Sequence, residues 1–417
     1  MASSLGGIGS AFSNRSCAIY LTGMFVSLNG SFVFTVALGW LTWELTNSAG
    51  LVGTIVFAET MPNAILAPFA GAIIDRGNPL LYQRLSQGAQ GLVMAALTVI
   101  TMTGQVTIEL LILFAFLQGI FNAFAVPAHF AMMPKLVERK DISAIMALQS
   151  ACAQSARFLG PAIAGGFLVT LGAGAAFAFN AVTFFIYVLA LAFVRIDHTP
   201  AGRGKRRSLL ADTAEGFAYS WNQPSIRLLM IIAVCVALLL RPVIDLMPAF
   251  VGDVLAQGPA TLAWFLSATG GAALVASLWL ARRNNATGLS RYMLAGFLVS
   301  GVAIILFALQ SSLAVGVGLM FVFGIANSTV NVSNQILLQV GLEDHIRARV
   351  MGIYSLTFRA VPAVGALVVG SIGTIVSLPI PIITAAVAGL VVWFWVLRAV
   401  TRHDLEVPPS RGQLENP

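Results

Sequence analysis

Five charged residues stand inside stretches that are otherwise apolar enough to cross a bilayer: Glu59, Arg157, Arg241, Asp245 and Arg359. An Asp, Lys or Arg at the centre of an inserted helix costs about 2.5 to 3.5 kcal/mol, so such residues face a bundle interior or a wet cavity and are paired or in use there. Arg241 and Asp245 are four apart, the spacing at which opposite charges meet on one helical face. The pair fits a substrate or proton site, and equally a satisfied structural pair beside Pro242. At about 1.5 Å per residue from Arg227, Arg241 lies roughly 21 Å and Asp245 roughly 27 Å along the run. Glu59 falls near mid-depth of its own run. A carboxyl there can take up and release a proton, or sit neutral in a hydrogen bond to a neighbouring helix. It is the first candidate for proton coupling, with Asp245 the second. Arg157 and Arg359 fit a gate, a packing partner or a substrate contact.

Amides form a second group. Asn327, Asn331 and Asn334 follow one another at steps of four and three, a polar stripe on an apolar helix. Gln118 and Asn122 make a shorter stripe, and Asn29 is a single polar point near mid-depth. Such amides bind ligands or hold membrane helices together.

The elements that position these residues follow from composition. Of 417 residues 58% are hydrophobic and 9% charged, and the mean hydropathy of +0.89 puts the chain in lipid. Runs long enough to cross a bilayer fall at roughly 18 to 42, 50 to 74, 86 to 104, 107 to 132, 143 to 170, 174 to 194, 227 to 253, 259 to 281, 289 to 309, 312 to 338, 349 to 375 and 378 to 400. They predict twelve spans. Without sustained strand alternation, the fold class is an all-α integral membrane bundle, not a barrel.

The net charge of +7 is distributed by topology and forms no basic and aromatic nucleic-acid surface. With a cytoplasmic N-terminus, 20 of the 23 Lys and Arg fall on cytoplasmic segments or their borders, leaving only the three intramembrane arginines. The positive-inside rule then places both termini in the cytoplasm. Cys17, Cys152 and Cys235 show no disulfide or metal spacing. His129 has no second ligand at metal spacing, and neither a P-loop nor a catalytic triad is legible. The reading therefore includes no metal and no cofactor. No removable signal peptide is read at the N-terminus.

The chain reads as two halves of one design. The polar stretch from Asp197 to Gln223, with Arg203, Lys205, Arg206 and Arg207, separates six runs from six. In it Leu209, Leu210, Phe217 and Trp221 suit a short helix on the membrane surface, and the basic cluster suits a topology anchor or anionic headgroups. Arg76 and Arg84 bracket the loop after span 2 at the same spacing as Arg283 and Arg291 after span 8, while Arg157 with Pro161 echoes Arg359 with Pro362. A duplicated six-span unit follows. Its expected boundaries are 1–196 for the first bundle, 197–225 for the linker, 226–402 for the second bundle and 403–417 for a cytoplasmic tail.

Over its whole length the chain resembles the major facilitator superfamily. Gly71-Ala72-Ile73-Ile74-Asp75-Arg76 is similar to the start of that family's loop signature between spans 2 and 3, and Gly160-Pro161-Ala162-Ile163-Ala164-Gly165 to the span 5 signature of its exporters. Leu45-Thr46-Asn47-Ser48-Ala49-Gly50, Met61-Pro62, Pro68-Phe69-Ala70-Gly71, Arg157-Phe158-Leu159-Gly160-Pro161 and Gly216-Phe217-Ala218-Tyr219 resemble the bacterial exporter branch that includes the enterobactin exporter and the macrolide efflux pumps. Ala115 stands where an arginine precedes Gln118-Gly119 in a common span 4 pattern, so that arginine's proton-relay role does not carry over.

The resemblance implies a twelve-span secondary transporter whose halves rock about a central cavity lined by spans 1, 4, 7 and 10. With such a cavity, substrate contact is expected of Asn29, Gln118, Asn122, Arg241, Asn327, Asn331, Asn334 and Arg359. Gly71, Asp75, Arg76, Arg157, Gly160 and Pro161 take gating or structural roles, and Glu59 and Asp245 the proton. The expected activity is proton-coupled export of a small organic molecule, with a siderophore or related anionic metabolite preferred because three buried arginines outnumber two buried acids. The alternatives are a multidrug or macrolide efflux pump, a lysophospholipid flippase and a membrane-embedded enzyme. The expected setting is a monomer in the lipid bilayer of the bacterial inner membrane.

Overall fold

The computed structural model describes residues 15–137, 141–195, 209–282 and 288–403. Arg203 to Arg207, Arg283 and residues 404–417 of the expected tail lie outside the described residues. Every regular element among the described residues is helical. The first six spans are Arg15–Thr46, Ala49–Ile74, Pro79–Met102, Ile108–Met132, Ile142–Thr170 and Gly172–Phe193. A linker helix, Leu209–Asn222, precedes span 7. Span 7 starts as Pro224–Cys235 and ends in a π-helical turn, Phe250–Val254. Spans 8 to 12 are Pro259–Ala281, Leu289–Leu309, Leu313–Gly341, Asp344–Val376 and Pro379–His403.

Eleven helices among the described residues are long and apolar enough to cross a membrane. Span 5 is also long, at 29 residues. Its Gln154, Ser155 and Arg157 dilute its hydropathy, and Gln154 and Arg157 line the central cavity.

The packing repeats itself. Span 1 packs on spans 5 and 6, span 2 on span 4, and span 3 on spans 4 and 6; adding six to each number gives pairs that also pack, from 7 with 11 to 9 with 12. Between the two sets, span 2 packs on span 11 and span 5 on span 8, contacts that exchange under the same shift. The joins of spans 1 to 2, 3 to 4, 5 to 6, 7 to 8, 9 to 10 and 11 to 12 share one face, here the loop face. The linker helix marks the other.

Local chemistry explains the tight joins. Asn47 adopts φ 48° and Ser48 caps span 2 by accepting from the Leu51 amide, so two residues reverse the chain. Asn78 and Thr107 cap spans 3 and 4 likewise. At the linker end, Tyr20 pairs with His129 Nδ1, and Gln149 Nε2 lies 2.6 Å from His129 Nε2. This ties together spans 1, 4 and 5 and gives His129 a structural place away from the central cavity.

Span 7 departs most from a uniform helix. Pro242 has no N–H to offer the Leu238 carbonyl, and the preceding turn widens, with Arg241 N donating to Val236 O at 2.9 Å. Gly365 of span 11 packs against the released Leu238 carbonyl, where a Cβ would come within 2.4 Å. A second interruption at Leu246 separates Pro242–Asp245 from Met247–Ala249.

Candidate functional site

A cavity of about 750 Å³ lies between spans 1–6 and spans 7–12. All five intramembrane charges line it: Glu59 on span 2 and Arg157 on span 5 from one set, Arg241 and Asp245 on span 7 and Arg359 on span 11 from the other. Glu59 and Asp245 approach the cavity from opposite sets, as do Arg157 and Arg241. Each like-charged pair spans the boundary between the two sets.

Arg241 and Asp245 face the same cavity. No ion pair within 4.0 Å forms between them among the described residues. Of the two readings that the spacing left open, the closed structural pair is not formed in this arrangement. The Arg241 guanidinium instead lies 6.0 Å from the Phe358 ring centroid, and that of Arg157 lies 6.0 Å from Phe32, arrangements that hold a cation without consuming its donors. The Arg241 Nε and the Asn327 Oδ1 are both buried without a hydrogen-bond partner among the described residues. Both belong to residues that line the cavity.

Only part of the expected amide set is here. Asn327 and Asn331 line the cavity, followed on the same stripe by Gln335. Asn334 does not: its Nδ2 donates to the Leu229 carbonyl at 3.1 Å, tying span 10 to span 7. Gln118 turns to span 3, donating to the Gln90 carbonyl at 3.4 Å, and Asn29 donates to Phe25 O of its own helix at 2.8 Å. Neither they nor Asn122 line the cavity. In this arrangement helix packing engages Gln118 and Asn334, and Asn29 bonds within its own helix. Span 4, expected at the wall, contributes none of the lining residues.

Other lining groups were not anticipated. Gln154 stands one turn before Arg157 and donates to Ser277 Oγ at 3.1 Å, joining spans 5 and 8. Met351, Tyr354, Ser355 and Phe358 precede Arg359 at steps that place them on one face of span 11. Reading that face outward from Arg359 would have found them.

The loop-face end is closed by small residues. A Cβ on Gly53 would meet the Ala366 carbonyl oxygen at 2.3 Å, and the Gly50 amide donates to Thr374 Oγ1 at 2.8 Å, locking span 2 to span 11. Spans 1 and 7 close beside them: the Trp43 ring lies against Gly252, and Pro248 against Gly39. The motif around Asn47 and Ser48 is thus a seal as well as a turn. Gly160 abuts Phe32, Gly165 abuts Ala263 of span 8, and Pro161 lines the cavity. Asp75 and Arg76 are exposed at the linker face, outside the cavity, and make no ion pair among the described residues; Gly71 O accepts from the Asp75 amide at 3.0 Å. No three His, Cys, Asp or Glu gather as a metal site among the described residues.

Two symmetric sets of spans, sealed at one face around a charged chamber, define a membrane transporter of the major facilitator type. The chain belongs to the transmembrane secretion effector family within that superfamily, which matches residues 10–411. It is 25% identical over 414 residues to the multidrug efflux pump Tap of Mycobacterium tuberculosis, covering 95% of this chain and 97% of that protein. It is 28% identical over 171 residues to the staphyloferrin A transporter of Staphylococcus aureus, covering 41% of this chain and 43% of the relative. Its fold is similar to that of a bacterial homologue of the human lysosomal transporter Spinster, in an inward-facing and occupied conformation. The TM-score is 0.72 at 13% identity, over 93% of this chain and 98% of that one. Family and relatives are transporters, not enzymes.

Proposed function

We propose that this transporter exports a small organic molecule in exchange for protons, and that the molecule is anionic, a siderophore or a related metabolite. The observation that carries this reading is the convergence of three arginines and two acids on one cavity at the boundary of the two span sets. Arginines held against aromatic rings keep donors for a carboxylate or catecholate, while Glu59 and Asp245 bring two carboxyl groups to the same cavity, where one can take up a proton. Asn327, Asn331 and Arg359 complete the substrate wall, and Gly160, Pro161 and Arg157 the moving boundary. The protein works as a monomer in the bacterial inner membrane, with both termini and the linker cytoplasmic. The arrangement sealed at the loop face is then open toward the substrate's side.

Counterflow and pH-gradient-driven uptake into inside-out vesicles carrying the purified protein test the proposal. An anionic chelator should be accumulated and should acidify the medium stoichiometrically as protons leave. Accumulation without proton movement removes the coupling, and product formation without translocation removes transport. A second reading, multidrug efflux, has its own support: Phe32, Phe358 and Tyr354 give the cavity aromatic walls suited to neutral or cationic amphiphiles, and the full-length relative Tap is named a multidrug efflux pump. Preference for macrolide-like amphiphiles over chelators in the same vesicles would select it.

A further inference from the structure

The linker helix Leu209–Asn222 is fixed on one side and bare on the other. On the fixed side, Arg349 of span 11 donates to Glu215 at 2.5 Å, and Gly216 sits so close that a Cβ would meet Ile353 Cδ1 at 3.1 Å and Arg349 Cβ at 3.2 Å. On the bare side Phe217 and Trp221, 59% and 57% exposed, stack with ring centroids 6.2 Å apart. Arg227 is held at the same level: its guanidinium lies 5.8 Å from the Trp221 ring, and its Nη1 donates to the Trp221 carbonyl at 3.3 Å.

The depth of this helix follows from span 11. Its 33 residues reach about 50 Å, against roughly 30 Å of hydrocarbon. The loop-face end is apolar to Val376, so the excess belongs to the linker end, where Asp344, His345, Arg347 and Arg349 follow one another. Arg349 and Ile353 lie about 8 and 14 Å from the start of the span, at headgroup depth. An aromatic pair there with a cation beside it has the composition of an interfacial anchor. Every Lys and Arg among the described residues outside the cavity belongs to this face, which favours an anionic surface.

We propose that this helix docks on the anionic lipid headgroups of the leaflet at the linker face, and that its contact with span 11 transmits the attachment to the cavity. The same span carries Tyr354, Ser355, Phe358 and Arg359 within three turns of Arg349. A lipid-held linker helix therefore biases the wall that a rocking transporter must move.

The test uses the full chain in vesicles of phosphatidylcholine with or without phosphatidylglycerol. Subtracting the Trp221→Phe spectrum isolates the Trp221 fluorescence. Brominated phosphatidylglycerol should quench it more than brominated phosphatidylcholine at equal mole fraction. Quenching by aqueous iodide alone, equal quenching by the two lipids, or protection from all quenchers, as under a protein partner or a second copy, each overturns the anionic docking surface. For the coupling, alkylation of a Ser355→Cys variant should change at least about twofold when phosphatidylglycerol is added, and this response should vanish on adding Glu215→Gln or Phe217→Ala with Trp221→Ala. A rate indifferent to phosphatidylglycerol, or a response that survives both changes, overturns the coupling. Neither readout requires transport, so failure here is distinguishable from failure of the export reading.

Discussion

Arg241 and Asp245 stand four residues apart on span 7 and face one cavity, yet no ion pair closes between them. The widened turn before Pro242 and the break at Leu246 give this segment its own geometry. The Nε of Arg241 is buried without a hydrogen-bond partner among the described residues, so the side chain is not committed to Asp245. Arg241→Gln should weaken binding of an anionic substrate by at least about tenfold, the order lost with a charged hydrogen bond of 1.5 to 3 kcal/mol, with little loss for a neutral one. Because removal of one charge can destabilise a buried partner, Arg241→Gln with Asp245→Asn is the control. Recovery of anion binding in the double variant would show a structural pair. Equal weakening for neutral and anionic compounds would overturn the anion site.

Glu59 carries the coupling prediction. Glu59→Gln keeps size and hydrogen-bonding capacity and removes the titratable proton. Counterflow, which needs no proton gradient, should persist, while uphill export driven by a pH gradient should fall to background. An unchanged gradient-driven rate would move the role to Asp245.

Orientation is testable without a substrate. Gln105 and Ser311 are exposed at the loop face. Gln105→Cys and Ser311→Cys should react with an impermeant maleimide added outside cells, whereas Ser208→Cys should react only after permeabilisation. The reverse pattern would invert the topology and make the sealed face cytoplasmic.

Spans, charges and the two-set design were legible in the sequence because lipid imposes the largest contrast on a chain: an apolar run is visible, and an Arg157 or Glu59 inside it stands out. What was not legible was phase. At about 100° per residue, Asn331, Asn334 and Gln335 lie roughly 40°, −20° and 80° around the helix from Asn327, so two overlapping faces fit one spacing. Span 7 decides between them by offering the Leu229 carbonyl to Asn334. The same applies to Gln118, whose partner is a backbone carbonyl of span 3. Periodicity finds a polar stripe; the neighbouring helix determines which edge of it meets the cavity. The seal was hidden for a related reason, since a glycine such as Gly53 or Gly252 reveals its use only beside the atom it admits.

That distinction predicts a division of labour on span 10. Asn334→Ala should cost stability, about 0.6 to 1.7 kcal/mol for an interhelical hydrogen bond in a membrane, and leave the substrate affinity of the folded fraction unchanged. Asn331→Ala should do the opposite. Thermal unfolding in detergent and binding measured on the same preparations separate the two, and loss of affinity in Asn334→Ala at unchanged stability would return it to the cavity.

The seal offers the last prediction. A Cβ at Gly252 would lie 1.7 Å from Trp43 Nε1 and within 2.5 Å of two other indole atoms, all on a ring that is 8% exposed. The ring has little room to yield, so Gly252→Ala should force spans 1 and 7 apart at the loop face. Closure there is one state of the transport cycle, and opening is the other. The variant should therefore stay folded but shift its population toward the loop-open state, by roughly tenfold for each 1.4 kcal/mol of clash that closure incurs. A cysteine at Leu38, on the loop-face wall of the cavity, should then be alkylated from the loop side several times faster than in the parent protein, while counterflow slows. Trp43→Ala in the same background makes room for the methyl group and should restore closure and the slow rate. Fast alkylation that persists in the double variant would show that the Trp43 and Gly252 contact does not close this face.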